Sequence, residues 1–264
     1  MSKGIALVSG GSRGIGRALC LRLAVTGYQV FSASRSAKLD SEMNGITQLS
    51  LDLSDADATQ FFAREFLEHH GTPDIFVNNA GYGAFFEWGE FPDDEINRQV
   101  QVLFSSPVQL CRVFAPAMSK KGRGVILNLS SLATLYPLPY MPLYNAGKSA
   151  LSSFTESMML EYRTSPKFID FRMGDVRTCF NTSAHRQENL NKSMSSAWAQ
   201  IEKQLENSIT IESAVEQIFA TIRKEKSGTF YGGTFFHLKV LPFAFRILPK
   251  SWQNLLIRKW YRLD

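Results

Sequence analysis

The sequence predicts an α/β fold: one parallel sheet with helices on both faces, followed by a helical C-terminal extension. Three observations carry this. Short apolar runs alternate with longer helical stretches along most of the 264 residues, which is the pattern of strands joined by crossover helices. A glycine-rich turn, Ser9-Gly10-Gly11-Ser12-Arg13-Gly14-Ile15-Gly16, stands between the first strand and the first helix, where glycine permits tight backbone geometry. No internal repeat or low-complexity linker divides the chain, so a single domain accounts for its length.

The elements follow in order. Residues 5–9 read as a strand and 13–25 as a helix stopped at Gly27; 30–34 and 47–51 are the next two strands. The helix over 58–69 ends at His69-His70-Gly71, where imidazoles suit the negative end of the helix dipole better than they suit a metal. Residues 74–78 are a fourth strand, and 93–118 a single long helical region disturbed by Pro107 and Pro116. A fifth strand (125–130), a long helix (144–163) and a sixth strand (167–173) complete the regular alternation. The polar stretch 181–196 runs into helical segments ending near Lys226, and 228–231 reads as an edge strand. Residues 1–234 thus form the body. In the extension, 235–264, Ser251 reads as the cap of a last helix with Trp252, Leu255, Leu256, Trp260 and Leu263 on one side.

Composition excludes several classes. Hydrophobic residues at 44% and charged residues at 20% are those of a soluble globular protein. Three cysteines without a Cys-x-x-Cys exclude a disulfide scaffold and a thiolate zinc site and favour a reducing compartment. The four histidines have no metal-ligand spacing, so no metal is expected. A strand beginning near residue 4 leaves no room for a signal peptide, and no run of about 18 apolar residues spans a bilayer; a cytoplasmic location is expected. The net charge of +5 lies in the extension, where Lys239, Arg246, Lys250, Arg258, Lys259 and Arg262 stand against Asp264 alone. The body is therefore neutral and no nucleic-acid partner is expected. The extension has two readings: packing on the body or on a dimer mate, or peripheral attachment to an anionic membrane surface.

Tyr144 and Lys148 are four residues apart and so share a helix face, with Ser131 thirteen residues before the tyrosine. A neighbouring ammonium favours ionisation of a phenol whose ordinary pKa is about 10. These features, with Asp52-Leu53, Asn78-Asn79-Ala80-Gly81, Tyr144-Asn145-Ala146-Gly147-Lys148 and Gly174-Asp175-Val176-Arg177-Thr178, resemble the short-chain dehydrogenase/reductase family over most of residues 4–180.

The resemblance implies a doubly wound, Rossmann-type sheet with a dinucleotide at the carboxyl ends of its strands. It implies that Gly10, Ser12, Arg13, Gly14, Ile15 and Gly16 cradle the pyrophosphate, and that Asp52 and Leu53 meet the adenine. It places Asn79, Ala80 and Gly81 by the adenosine ribose, and Gly174, Val176 and Thr178 at the nicotinamide. Ser34 stands where NAD-preferring members carry a carboxylate; with Arg13 and Arg35 nearby, NADP(H) is the expected cofactor. Tyr144 is then the general acid, Lys148 tunes it and binds the nicotinamide ribose, and Ser131 donates to the oxyanion. The expected activity is NADPH-dependent carbonyl reduction, or the reverse alcohol oxidation, on an apolar small molecule lined by Phe85 and Phe86. A nucleotide-sensing binding protein and a 3-oxoacyl-thioester reductase are the alternatives. The family's relay asparagine falls on Gln101, Met173 replaces the usual proline, and residues 181–204 hold the place of the substrate lid. A homodimer or higher homo-oligomer pairing the helices at 93–118 and 144–163 is also implied.

Overall fold

The computed structural model describes residues 2–36, 41–43, 45–180 and 183–263. Met1 and Asp264, at the outer ends of the two expected segments, lie outside them. So do Asn181 and Thr182, the first residues of the expected lid.

The chain runs β1 (Ile5–Ser9), α1 (Gly14–Val25), β2 (Gln29–Ser34), β3 (Ser41–Met43), β4 (Ile46–Ser50), α2 (Ala56–His70) and β5 (Ile75–Asn78). It continues through β6 (Ala84–Phe85), α3 (Asp93–Val100), α4 (Ser106–Lys121), β7 (Val125–Ser131), α5 (Pro142–Glu161) and β8 (Lys167–Met173). Then come β9 (His185–Arg186), α6 (Lys192–Glu206), α7 (Ile211–Ile222), β10 (Gly228–Gly232), α8 (Leu241–Ile247) and α9 (Lys250–Tyr261). The main sheet has the order β10-β8-β7-β5-β1-β2-β4-β3. All neighbours in it are parallel except the short β3, which pairs antiparallel with β4.

Strand side chains alternate between two cores, as the period of two requires. Ala6, Val8, Val77, Leu127 and Ile169 face Leu19 and Leu23 of α1 and Val215 and Ile218 of α7. Leu7, Phe31, Phe76, Ile126 and Phe168 face Phe66 of α2 and Leu110 and Phe114 of α4. The Phe76 and Phe114 rings meet edge-on at 4.8 Å. Asp55 caps α2 by accepting from Ala58 N at 2.9 Å, and Gly71 ends it with φ +83°, so the two histidines do occupy a helix C-terminus. A third cluster joins Phe85, Tyr144, Trp198, Ile201 and Tyr261 at one end of the sheet.

The expected single helix over 93–118 is broken. A π turn, Gln101–Ser105, separates α3 from α4. Pro107 is the cause: it has no N–H for the Leu103 carbonyl, and its ring needs the space of a regular turn. Pro116 is accommodated inside α4. The polar stretch after residue 182 is also more ordered than expected. β9 pairs with β6, and Asn191 caps α6 by accepting from Met194 N at 2.9 Å. Ser251 does not cap α9; Pro249 holds the cap position and Ser251 lies in the first turn.

Candidate active site

β1 lies between β2 and β5, and the chain leaves it in opposite directions across the sheet. Such a switch point opens a crevice at the carboxyl ends of the strands. A cavity of about 650 Å³ occupies it, with the glycine turn at one end and Ser131, Tyr144 and Lys148 towards the other.

The glycine turn is held from two sides. Gly10 N donates to the Ala33 carbonyl at 2.7 Å. Asn79 Nδ2 donates to the carbonyls of Ser9 at 2.9 Å and Gly10 at 3.2 Å. Ser9 Oγ accepts from Asn79 N and Ala80 N at 3.1 and 3.2 Å, so the serine fixes the turn against the end of β5. A side chain on Gly16 would overlap the Gly10 carbonyl and Asn79 Nδ2. Gly10 and Gly14 have φ of +69° and +56°, conformations that glycine adopts without strain. Among the described residues nothing lies within 4 Å of where a Gly14 Cβ would be, and no side chain caps the first turn of α1. Free N–H groups beside an open backbone suit a pyrophosphate.

Arg13, Ser34, Arg35, Asp52, Leu53 and Arg98 line the same end. Among the described residues Ser34 Oγ is buried without a hydrogen-bond partner, and a ribose phosphate would supply one. Burial pushes the Asp52 carboxyl up. Hydrogen bonds from Ser54 N (2.9 Å) and Oγ (2.7 Å), with the Arg35 and Arg98 guanidiniums, outweigh it and hold the group below its ordinary value. These residues therefore fit an adenosine nucleotide, including one phosphorylated on the ribose. Ser12, Ile15, Ala80, Gly81, Gly174, Val176 and Thr178 also line the cavity. Gly174 N donates to the Gly232 carbonyl at 2.9 Å, anchoring that turn without the proline that Met173 replaces.

The other half is built on β7 and α5. Pro142 opens α5 with a φ suited to the first turn, which sets Tyr144 and, one turn on, Lys148 on its buried face. Asn145 clamps the preceding loop: its Nδ2 donates to the Leu138 carbonyl at 2.8 Å and its Oδ1 accepts from Leu138 N at 3.1 Å. Buried Asn78, Asn128 and Thr155 link β5, β7 and α5 at 2.7 and 2.8 Å. Asp170, fully buried, accepts from Ser130 Oγ, from Ser152 Oγ at 2.7 Å and from Arg172 Nε at 2.8 Å. Burial raises the Tyr144 phenol to about 12, against a lowering hydrogen bond with Ser131; Asp175 adds to the rise. Burial lowers Lys148 to about 8, partly offset by Asp170. Lys148 Nζ donates to the Leu129 carbonyl at 2.7 Å. The expected lowering of the phenol by the lysine is therefore not what this arrangement shows: desolvation dominates both groups.

Two expectations fail. Phe85 and Phe86 do not line the cavity. Phe85 is fully buried, stacked edge-on against Trp198 at 4.9 Å, and Phe86 packs on Phe91; the β6–β9 pairing and α6 cover them. The apolar lining comes instead from Tyr136, Leu138, Met141, Phe180, Ile201 and Leu205. Gln101 does not line the cavity either: its Nε2 donates to Ser106 Oγ at 2.8 Å. On the same π turn it is buried Leu103 that packs against Gly81 and Gly147, the glycines beside Lys148. Of the lining residues the motifs did not point to, Arg98 sits on α3 and Tyr136 on the loop after β7; a single basic or aromatic residue outside a motif carries no sequence signal.

Fold and site together define a nucleotide-dependent oxidoreductase built on a doubly wound sheet. The family model described as short chain dehydrogenase matches residues 4–189, and the chain belongs to that family. It is 32% identical over 157 residues to an uncharacterized oxidoreductase, C162.03, of Schizosaccharomyces pombe, covering 59% of this chain and about half (54%) of that protein. It is 28% identical over 189 residues to the 3-ketodihydrosphingosine reductase of Bacteroides thetaiotaomicron, covering 71% and 70%. Among solved structures, a short-chain dehydrogenase from Streptomyces avermitilis superposes with a TM-score of 0.82 at 21% identity over 97% and 98% of the two chains. A metagenomic short-chain oxidoreductase in complex with NADP superposes with a TM-score of 0.60 at 32% identity over 66% and 82%.

Proposed function

We propose that the protein is an NADP(H)-dependent carbonyl reductase acting on an apolar ketone or aldehyde, or on the corresponding alcohol in reverse. The observation that carries this reading is that Ser131, Tyr144 and Lys148 share one cavity with the glycine turn. The nucleotide supplies the hydride when bound. Tyr144 donates its phenolic proton to the carbonyl oxygen, and a phenol raised to about 12 is fully protonated at neutral pH. Ser131 orients the phenol and donates to the developing oxyanion. Lys148 holds positive charge beside Gly81 and would bind the nicotinamide ribose of a nucleotide.

Arg13 and Arg35, with Ser34 in place of a carboxylate at the end of β2, favour NADP(H) over NAD(H). The relative named as a 3-ketodihydrosphingosine reductase supports a ketone, and the aromatic and aliphatic lining supports an apolar one. The reading includes a homodimer paired through α4 and α5 and a cytoplasmic location, in line with the few cysteines.

NADPH oxidation with a panel of long-chain, sterol and aromatic ketones tests it, with Tyr144→Phe as control. The variant should bind NADPH and lose turnover by about two orders of magnitude or more; near-normal turnover sinks the assignment. Apolar Leu103 beside Lys148 favours a second reading, nucleotide binding without turnover. NADPH binding with no oxidation across the panel would select it.

A further inference from the structure

We infer that residues 235–262 form a docking surface for an anionic lipid bilayer, independently of the substrate. After β10 the chain makes a π turn, Phe236–Val240, that runs into α8 and then α9. Phe236, Val240, Phe243 and Ile247 are all exposed, at spacings of four, three and four residues that put them on one helical stripe. On α9 a second stripe, Trp252, Leu256 and Trp260, is 61%, 47% and 56% exposed. Nine of the fourteen large hydrophobic residues exposed among the described residues fall between 235 and 260. Such a concentration marks an interaction surface rather than scattered surface apolarity.

These stripes are not misplaced core. α9 has a separate packed face: Gln253 and Tyr261 are buried and Ile257 packs into the cluster around Trp198. Gln253 Nε2 donates to the carbonyls of Phe245 at 2.8 Å and Leu248 at 2.7 Å, locking α9 to α8. Tyr261 OH donates to Gln204 at 3.3 Å. The helix is thus fixed by one side and leaves its tryptophans to be covered by something else.

Charge decides what covers them. Lys239, Arg246, Lys250, Lys259 and Arg262 are exposed on the same elements, and the only acidic residue from 235 onward is Asp264. A two-fold contact with a second copy would set this surface against itself, like charge on like. An anionic membrane complements it: tryptophan and basic residues belong at the headgroup level, with apolar side chains below. Among the described residues no helix is long and apolar enough to cross a membrane, so the attachment is peripheral. On its packed face α9 meets Ile201 and Gln204 of α6, both of which line the cavity. Docking therefore sets the substrate end of the site close to the lipid.

Sedimentation of the full chain with vesicles of phosphatidylcholine, with and without phosphatidylglycerol, tests this. The protein should pellet with the anionic vesicles only, should be released at high salt, and should show a blue shift of tryptophan emission on binding. Arg246→Glu with Lys250→Glu should reduce partitioning more than about tenfold. Trp252→Ser with Trp260→Ser should abolish the emission shift; all four side chains are exposed, and nucleotide binding reports that each variant is folded. No pelleting with anionic vesicles, or equal pelleting with neutral ones, overturns the inference. A dimer in solution that the tryptophan substitutions dissociate assigns the surface to a second copy and overturns it too.

Discussion

Lys148 Nζ donates to the carbonyl of Leu129 at 2.7 Å, two residues before the serine that ends the same strand. The contact gives a buried ammonium one acceptor, with Asp170 close enough to favour its charge. Burial still wins and brings the group from 10.5 to about 8. Between these values the unfolded chain holds the proton and the folded one does not, so this residue makes stability rise with pH across that window, by roughly 3 kcal/mol. In Lys148→Met the rise should vanish. Denaturant melts of both proteins at pH 7.5, 9 and 10.5 (about the ends and middle of the window) measure the difference; parallel curves would contradict it.

Tyr144 is displaced in the opposite sense, up to about 12. In the proposed role of general acid it stays protonated through the neutral range, so carbonyl reduction should lose nothing to its ionisation below about pH 9. Alcohol oxidation, which needs the phenolate, should climb with pH over the same interval. Profiles of kcat/KM in both directions check this. A falling reduction limb near neutrality that survives in Ser131→Ala would show that another group governs proton transfer.

Arg35 follows the end of β2 and draws on Asp52 across the adenosine end of the cavity. Arg35→Ala should weaken NADPH at least about tenfold, near 1.4 kcal/mol, and leave NADH nearly unchanged. Fluorescence titration with the two nucleotides decides; equal loss for both would place the guanidinium away from the ribose.

Gly147 precedes Lys148 on α5, and a Cβ there would stand 2.8 Å from Leu103 Cβ. Gly147→Ala gains up to about 1 kcal/mol in helix propensity but overpacks a closed contact at about 1–3 kcal/mol, so the net effect should be destabilising. Leu103→Gly removes that Cβ too and opens space, at about 2–5 kcal/mol for the side chain and up to about 1 kcal/mol for the helix. Combined, the two should cost less than their sum, a coupling visible in a double-mutant thermal-melt cycle. Strict additivity would mean that the helices do not approach as described.

Much of this was readable from the chain. The glycine turn, the Tyr-x-x-x-Lys spacing and Ser131 each tie a residue type to a local backbone need, and local needs leave local traces. The alternation of strands and helices was legible because the parallel sheet is buried on both faces. What escaped depends on contacts far apart in sequence. Phe85 looked like a substrate wall, but Trp198 and Tyr140 cover it. Gln101 was misassigned because a π turn changes which residue of a helix meets its neighbour, and nothing but Pro107 hinted at that turn. The side of α9 that packs was also hidden: Gln253 and Tyr261 turn inward while its tryptophans turn out, the reverse of a simple hydrophobic ranking.

The inward position of Tyr261 has a further consequence. Its ring completes the cluster that holds Trp198 and Ile201 beside Tyr144, although it is almost the last described residue. Carboxypeptidase digestion that passes this point should unroof the substrate half and leave the nucleotide half whole. KM for the carbonyl compound would then rise while the dissociation constant for NADPH stayed put.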